Sequence, residues 1–307
     1  MNWIRHLYNK LLDATIYFSF DRSGFLRHQK NFKEEIFPKS KGKKVLITGG
    51  NSGIGYAAAL EFAKLGLEVH IVCRDKQKGS QAIEELKKES NNLSITLHLL
   101  DLSELEEVME FTQNESLPPF DILVNNAGGM PVKKTINSNG KEVIFTSQVL
   151  GHALLTKQLI GKNKLKSGSR VIFVSSGGMY LQKLDLSDLN WDKKPYNHYQ
   201  AYANAKRAQV ILSEQLAEKY NHVVFSSMHP GWVDTKGVVS SLPAFYQWMK
   251  NRLRKPSEGA DTIVWLALTS QKYPSGKLWF DRKQAAKYYF RWTKESSKER
   301  KKLWDLI

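Results

Sequence analysis

Residues 44–55 read KVLITGGNSGIG. Val45, Leu46 and Ile47 make a short apolar run of the kind that forms a strand buried on both faces. Thr48, Gly49, Gly50, Asn51, Ser52, Gly53, Ile54 and Gly55 then place small residues where the chain must turn, and the run IGYAAALEFAKLG continues as a helix. A turn of this shape offers the backbone N–H groups of a helix N-terminus to a dinucleotide pyrophosphate, with no side chains in the way. Taken alone it is a weak signal, because an ordinary tight strand-to-helix turn needs the same residues.

Working outward, the alternation repeats. LEVHIVCR is followed by a charged helix through Ser80 to Glu89, then by SITLHLLDL, DILVNNAG, RVIFVSS, HVVFSSMHP and KLWF. Short apolar strands alternating with amphipathic helices predict an α/β fold: a Rossmann-type, doubly wound parallel sheet of about seven strands with helices on both faces. The expected organisation is an amphipathic, basic extension over residues 1–40, one Rossmann domain over 41–285 and a basic tail over 286–307. Leu242–Arg254 reads as a loop or helix, and KESSKERKK reads as an exposed tail. Internal repeats are absent from the sequence.

The 307 residues are 41% hydrophobic, which excludes disorder throughout. Cys73 is the only cysteine, so an internal disulfide and a multi-cysteine zinc module are excluded, and no metal site is expected. No stretch reaches the roughly 18 uncharged apolar residues that spanning a bilayer requires. The early candidate ATIYFSF is closed off by Asp13 and Asp21, and no secretory signal is evident. The formal charge of +16 is unevenly placed: residues 1–44 hold 10 Lys or Arg against 4 Asp or Glu, residues 271–307 hold 11 against 4, and the rest hold 25 against 22. A nucleic-acid-binding domain carries its basic residues on the folded face that meets phosphate, so a near-balanced middle argues against that partner. Trp3, Ile4, Leu7, Tyr8, Leu11 and Leu12 recur at helical spacing with Arg5 and Lys10 between them. That pattern suits peripheral contact with an anionic membrane, and equally a helix packed on its own domain. Homo-oligomerisation stays open. The expected location is intracellular, in the cytoplasm or on the cytosolic face of a membrane, with mitochondrial import left open.

The later motifs carry the chemistry. Arg74 ends the second strand where an NAD-selective site usually places an acid; a guanidinium there can pair with the adenosine 2′-phosphate of NADP(H). Asp75 follows, so NAD(H) stays open. Asn125, Asn126, Ala127 and Gly128 end the fourth strand, and Ser175 and Ser176 end the fifth, all at the carboxyl edge where open parallel sheets bind ligands. Tyr202 and Lys206 are four residues apart in a helical stretch, on one face, where an ammonium is expected to lower the phenol pKa towards neutrality. Tyr196 and Tyr199 have no such lysine. YxxxK by itself is more often a surface pair.

Glycine turn, NNAG, serine, YxxxK and the HPGW turn together resemble the short-chain dehydrogenase/reductase family over about residues 44–280. The resemblance implies that Tyr202 is the general acid/base, that Lys206 lowers its pKa and holds the nicotinamide ribose, and that Ser176 rather than Ser175 positions the substrate carbonyl. It places Thr48, Gly49, Asn51, Ser52, Gly53, Ile54 and Gly55 around the pyrophosphate, and Asp101, with Leu102, near the adenine. It sets Asn126, Ala127 and Gly128 in the cofactor groove, and Pro230, Gly231, Val233 and Thr235 at the nicotinamide end. The insertion between Ser176 and Tyr202, including LDLSDLNWDKKPY, looks like the retinol dehydrogenase branch. One departure stands out: many members have an asparagine supporting a water relay to the lysine, and the matching segment here is Gln148-Val149-Leu150-Gly151.

After Thr235 the chain runs GVVSSLPAFYQWMKNRLRK, in the place of the family's variable substrate loop. Its Val238, Val239, Leu242, Phe245, Tyr246, Trp248 and Met249 suit a lipophilic carbonyl or alcohol, or simply pack a lid. His152, His198 and His229 read as structural. The expected function is an NADP-preferring oxidoreductase; the alternative is a dinucleotide-binding scaffold or sensor with little turnover, to which Gln148 and the basic flanks would also suit.

Overall fold

The computed structural model describes residues 11–307 except 14, 34, 36, 38 and 39. β1 (Lys44–Thr48) leads into α3 (Gly53–Lys64), β2 (Glu68–Cys73), α4 (Lys76–Ser90), β3 (Ile95–Leu99), α5 (Leu105–Gln113) and β4 (Phe120–Asn125). Next comes α6, in which α-helical turns at Val143–Phe145 and His152–Gly161 flank a π-helical segment, Thr146–Gly151. β5 (Leu165–Val174), α7 (His198–Lys219) and β6 (Val224–Met228) follow. The chain ends with α8 (Lys236–Ser241), α9 (Pro243–Met249), α10 (Pro256–Leu268), β7 (Lys277–Phe280), β8 (Lys283–Gln284) and α11 (Ser297–Asp305).

The strands form one sheet in the order β3-β2-β1-β4-β5-β6-β7-β8, parallel through β7. The expected seven strands are all present, and the eighth is a two-residue antiparallel return after a turn at Asp281 and Arg282, both at positive φ. β1 pairs with β2 on one side and β4 on the other, Val45 lying opposite both Val69 and Ile122. Strand order reverses there, which opens a crevice beyond the carboxyl ends of β1 and β4.

Alternate residues of each strand supply the two cores. Val45, Ile47, Val69, Ile71, Ile122 and Val124 pack with α3, α4 and α10 on one face. Leu46, Val72, Leu123 and Phe173 pack with α5, α6 and α7 on the other. Burial on both faces explains why the strands read as unbroken apolar runs.

The described parts of both flanks pack on the domain. The segment KESSKERKK, expected as an exposed tail, is largely helix: Ser296 and Glu299 form a capping box at the start of α11. Leu303 is fully buried in the core, and Arg300 bonds Glu214 on α7 at 2.8 Å. The S-x-x-E signal was in the sequence; the density of charge around it masked the one buried leucine. At the other end, α1 (Ile16–Phe20) and α2 (Arg22–Gln29) pack on the domain, with Phe20 and Asp21 buried. The interfacial face expected over Trp3–Leu12 lies, apart from Leu11 and Leu12, outside the described residues. Among the described residues no helix is long and apolar enough to cross a membrane.

Candidate active site

The glycine turn is built to let backbone approach backbone. A Cβ on Gly55 would lie 2.2 Å from the Gly49 carbonyl and 2.4 Å from Asn126 Nδ2, so no larger residue fits. Gly49 and Gly53 have φ of +67° and +56°, which a side chain would strain. Ser52 occupies the N-cap of α3 but makes no side-chain cap bond, so the first N–H groups of the helix are not capped by its hydroxyl. Asn126 braces the turn by donating to the Thr48 and Gly49 carbonyls at 2.9 and 3.3 Å. Thr48 Oγ1 accepts from the Asn126 and Ala127 N–H groups, both at 2.9 Å, and lies 2.9 Å from His152 Nε2. Asn126 and Thr48 therefore spend their polar groups holding β1 to β4, and the site they shape is one of bare glycine backbone and small side chains.

From the far side of the crevice, Thr235 brings its Cγ2 to 3.3 Å from the Cβ position of Gly53, while its hydroxyl caps α8. Val233 is buried against Gly259, near Ile54. Pro230 and Gly231 form the turn above. Leu102 turns its side chain into the core.

At the end of β2, Arg74 projects into solvent, its side chain 74% exposed, with Nη1 3.6 Å from Asp101 Oδ2. Asp75 does not offer a free carboxylate: it caps α4 through the Lys78 N–H at 3.0 Å and pairs with the Lys78 ammonium. Those bonds hold its carboxyl below the usual range. Asp101 accepts from the Ser103 N–H and hydroxyl through Oδ1.

The candidate reactive groups meet beyond β5. Ser175 is buried and donates to the Lys206 carbonyl at 2.8 Å, pinning the strand end to α7. Ser176, one residue further, accepts the Gly178 N–H at 3.3 Å and stands near enough to the Tyr202 phenol to favour its ionised form. Lys206 reaches under the phenol: its Nζ lies 5.4 Å from the Tyr202 ring centre and donates to the Val174 carbonyl at 2.8 Å. Burial pushes the lysine down to about 7, which corresponds to about 5 kcal/mol against its charged form. Burial also raises the Tyr202 phenol, the Ser176 hydroxyl opposing it. The lowered phenol expected from spacing alone is therefore not what the protein by itself provides: the ammonium that should lower it is half-discharged near neutral pH and aimed at a carbonyl.

Gln148 lies on the π-helical segment, a distortion common at functional sites. Its backbone carbonyl accepts from Gln209 Nε2 at 2.8 Å and faces His152 Nδ1 at 3.1 Å. Its side-chain Nε2 donates to the Gly129 carbonyl at 2.7 Å. The remaining atom, Oε1, is buried with no partner among the described residues. It lies 2.9 Å from the Cβ position of Gly128, and Lys206 Nζ lies 3.3 Å from that same point. An orphaned acceptor beside the lysine is where a relay water belongs. His152 and His229 are buried and held neutral, each pushed down to about 3 by desolvation.

Four residues escaped the sequence reading: Phe20, His28, Arg254 and Asp281, which meet behind the Pro230–Gly231 turn. No motif marks them, since they come from three distant stretches and a buried arginine in a basic segment looks like any other.

The chain matches the short chain dehydrogenase family over residues 43–243. It is 42% identical over 268 residues to human dehydrogenase/reductase SDR family member 12, covering 86% of this chain and 84% of that protein. It is 36% identical over 250 residues to bovine retinol dehydrogenase 12, covering 79% of each. A crystal structure of an uncharacterised protein from Mycobacterium paratuberculosis superposes with a TM-score of 0.69 at 25% identity, covering 89% of this chain and 96% of that one.

Proposed function

The chain belongs to the short-chain dehydrogenase/reductase family, and from that premise we propose an NADP-preferring oxidoreductase that interconverts a lipophilic aldehyde or ketone and its alcohol. The observation that carries the catalytic reading is the meeting of Ser176, Tyr202 and Lys206 at the carboxyl edge of β5, across from the bare glycine turn.

A nicotinamide cofactor, held at the Gly49–Gly55 turn and by Lys206, would supply the hydride. What the protein supplies is order and a proton. Ser176 holds the substrate oxygen by its hydroxyl. Tyr202, raised by burial, keeps its proton near neutral pH and gives it to that oxygen in the reducing direction. The phenolate that remains favours the ammonium form of Lys206, which then stabilises it, and the orphaned Gln148 Oε1 offers a water the place from which to resupply the proton. Preference for NADP(H) follows from Arg74, exposed and poised at the end of β2, while the carboxylate that would hold ribose hydroxyls is spent capping α4.

A lipophilic substrate is supported by an aromatic cluster of Tyr17, Trp232, Phe245 and Trp248, neighbours around a closed ring with centres 5.3–6.4 Å apart, beginning one residue after the Pro230–Gly231 turn. Retinol dehydrogenases among the relatives fit the same chemistry. The deciding experiment is NADPH oxidation against long-chain aldehydes, retinoids and steroid ketones. Turnover by the wild type that falls at least a thousandfold in Tyr202→Phe, with NADPH affinity kept, is the expected result; equal rates in the two would sink it. We further propose peripheral contact with anionic membrane through the basic, apolar amino terminus, in the cytoplasm or on the cytosolic face of a membrane.

A further inference from the structure

Arg254 is fully buried, yet every arm of its guanidinium is engaged. Nε donates to the Phe20 and Asp21 carbonyls at 2.9 and 3.2 Å, and Nη2 to the Ser19 carbonyl at 2.9 Å. Nη1 donates to the Pro230 carbonyl at 3.2 Å. The fork closes on Asp281, with Nη1–Oδ1 at 2.6 Å and Nη2–Oδ2 at 2.8 Å. Asp281 in turn meets His28 Nδ1 at 2.6 Å, and His28 Nε2 meets Asp13 at 2.9 Å. One planar cation therefore ties the corner between α1 and α2 to the turn that carries Pro230 and Gly231.

The same corner also bonds the turn directly. The Phe20 carbonyl accepts the Trp232 N–H at 2.9 Å, the Trp232 carbonyl accepts the Arg254 N–H at 2.7 Å, and the Arg252 carbonyl accepts the Arg22 N–H at 2.8 Å. Gly231 has φ +76°, and a Cβ there would lie 2.4 Å from Arg254 Nε, so only glycine lets the turn lie this close to the guanidinium. The Phe20 ring reaches the opposite wall: its Cε2 lies 2.4 Å from the Cβ position of Gly177, next to Ser176, and its centre is 4.6 Å from the His229 ring.

We propose that the Ser19–Asp21 corner is a positioning element of the reaction face, setting the Pro230–Val233 turn through Arg254 and the Ser176–Gly177 turn through Phe20. The effect on turnover rests on the function proposed above; the coupling between corner and turn does not. Phe20 and Arg254 are positioning residues, because they act through the turns.

The test uses full-length Asp281→Asn, which keeps the shape of the pair and removes its charge, and Phe20→Leu, which keeps an apolar filler but shortens the reach to Gly177. Amide hydrogen exchange without added cofactor should show the Trp232 and Arg254 amides at least tenfold faster in Asp281→Asn, with β1 and β4 amides unchanged. In Phe20→Leu the Gly178 amide, which caps on Ser176, should quicken by a similar factor. Both variants should lose at least tenfold in kcat while the Kd for NADPH stays within threefold. Wild-type exchange at Trp232 and Gly178, or unchanged kcat despite faster exchange, would overturn the proposal. If Asp281→Asn loosens the whole sheet, Phe20→Leu decides alone, and general loosening in both would overturn it, because the corner would then support the fold and not the turns. Faster exchange in the variants, with a wild type that turns over none of the carbonyls, would keep the coupling and remove the function reading instead.

Discussion

Arg74 and Asp75 are adjacent in the chain and have opposite fates. The carboxylate is drawn back onto the first turn of its own helix, where the Lys78 N–H and ammonium satisfy it; the guanidinium has only a loose 3.6 Å approach to Asp101. A 2′-phosphate at this strand end would meet a planar donor fork instead of an acid. Arg74→Ala is accordingly expected to weaken NADPH about tenfold to a hundredfold and NADH less than threefold, measured by fluorescence titration of each. Equal losses would show that Arg74 does not read the phosphate. At the same scale, the pair Tyr202 and Lys206 was legible from four-residue spacing. The raised phenol was not, because spacing reports proximity and says nothing of how much water each group loses.

Among the elements, the β1–α3 turn concentrates the steric demands. Gly55→Ala places a methyl carbon 2.2 Å from a backbone oxygen that cannot swing aside, whereas Gly129 has nothing within 4 Å of its Cβ position. Gly55→Ala should cost about 1–3 kcal/mol of stability, the usual range for overpacking, and weaken NADPH at least tenfold. Gly129→Ala should change both little. Thermal unfolding and cofactor titration of the two variants side by side check the claim; similar behaviour would mean that the turn has slack. The π-helical segment of α6 was hidden from the sequence, since TSQVLG reads as ordinary helix. Its consequence is chemical: Gln148 spends its backbone carbonyl on Gln209 and keeps only a side-chain oxygen for the lysine.

For the molecule as a whole, acid should be the weak side. His152 and His229 are buried and neutral, with values of about 3 against 6.5 when exposed. The unfolded chain therefore binds protons that the folded chain refuses, and stability falls as pH drops from 6.5 towards 3. By pH 5 each histidine removes about 2 kcal/mol, at about 1.4 kcal/mol per pH unit. Among the described residues His229 has no partner at either ring nitrogen, and it stacks on Phe280 at 4.1 Å, so a phenyl ring can stand in for it. His229→Phe should unfold within a few degrees of wild type at pH 7.5 and lose about 4 °C less between pH 7.5 and 5. A drop as steep as that of wild type would place the acid sensitivity elsewhere. Membrane contact is also a property of the whole chain. Deleting residues 1–10, which spares the folded α1 and α2, should reduce pelleting with anionic vesicles severalfold at low salt and change nothing with neutral ones; unchanged pelleting would assign the contact to another surface.

Local pattern was enough for the parallel sheet, and it located the glycine turn, the two serines after β5 and the YxxxK pair, each written within a few neighbouring residues; their roles came from the order of the motifs taken together and the family they resemble. What tertiary structure alone decided is how distant polar groups share their bonds. Whether Asp75 is free or capping, whether Gln148 retains an acceptor, and whether Lys206 keeps its charge all depend on burial and partners. The largest difference lies at the flanks. Composition marked both as basic and the last stretch as an exposed tail, yet Leu303 enters the core and the Ser19–Asp21 corner closes over Arg254 behind the Pro230–Gly231 turn. Hydrophobic periodicity is a property of one segment; a buried cation satisfied by carbonyls from positions 19, 20, 21 and 230 exists only once those segments have been brought together.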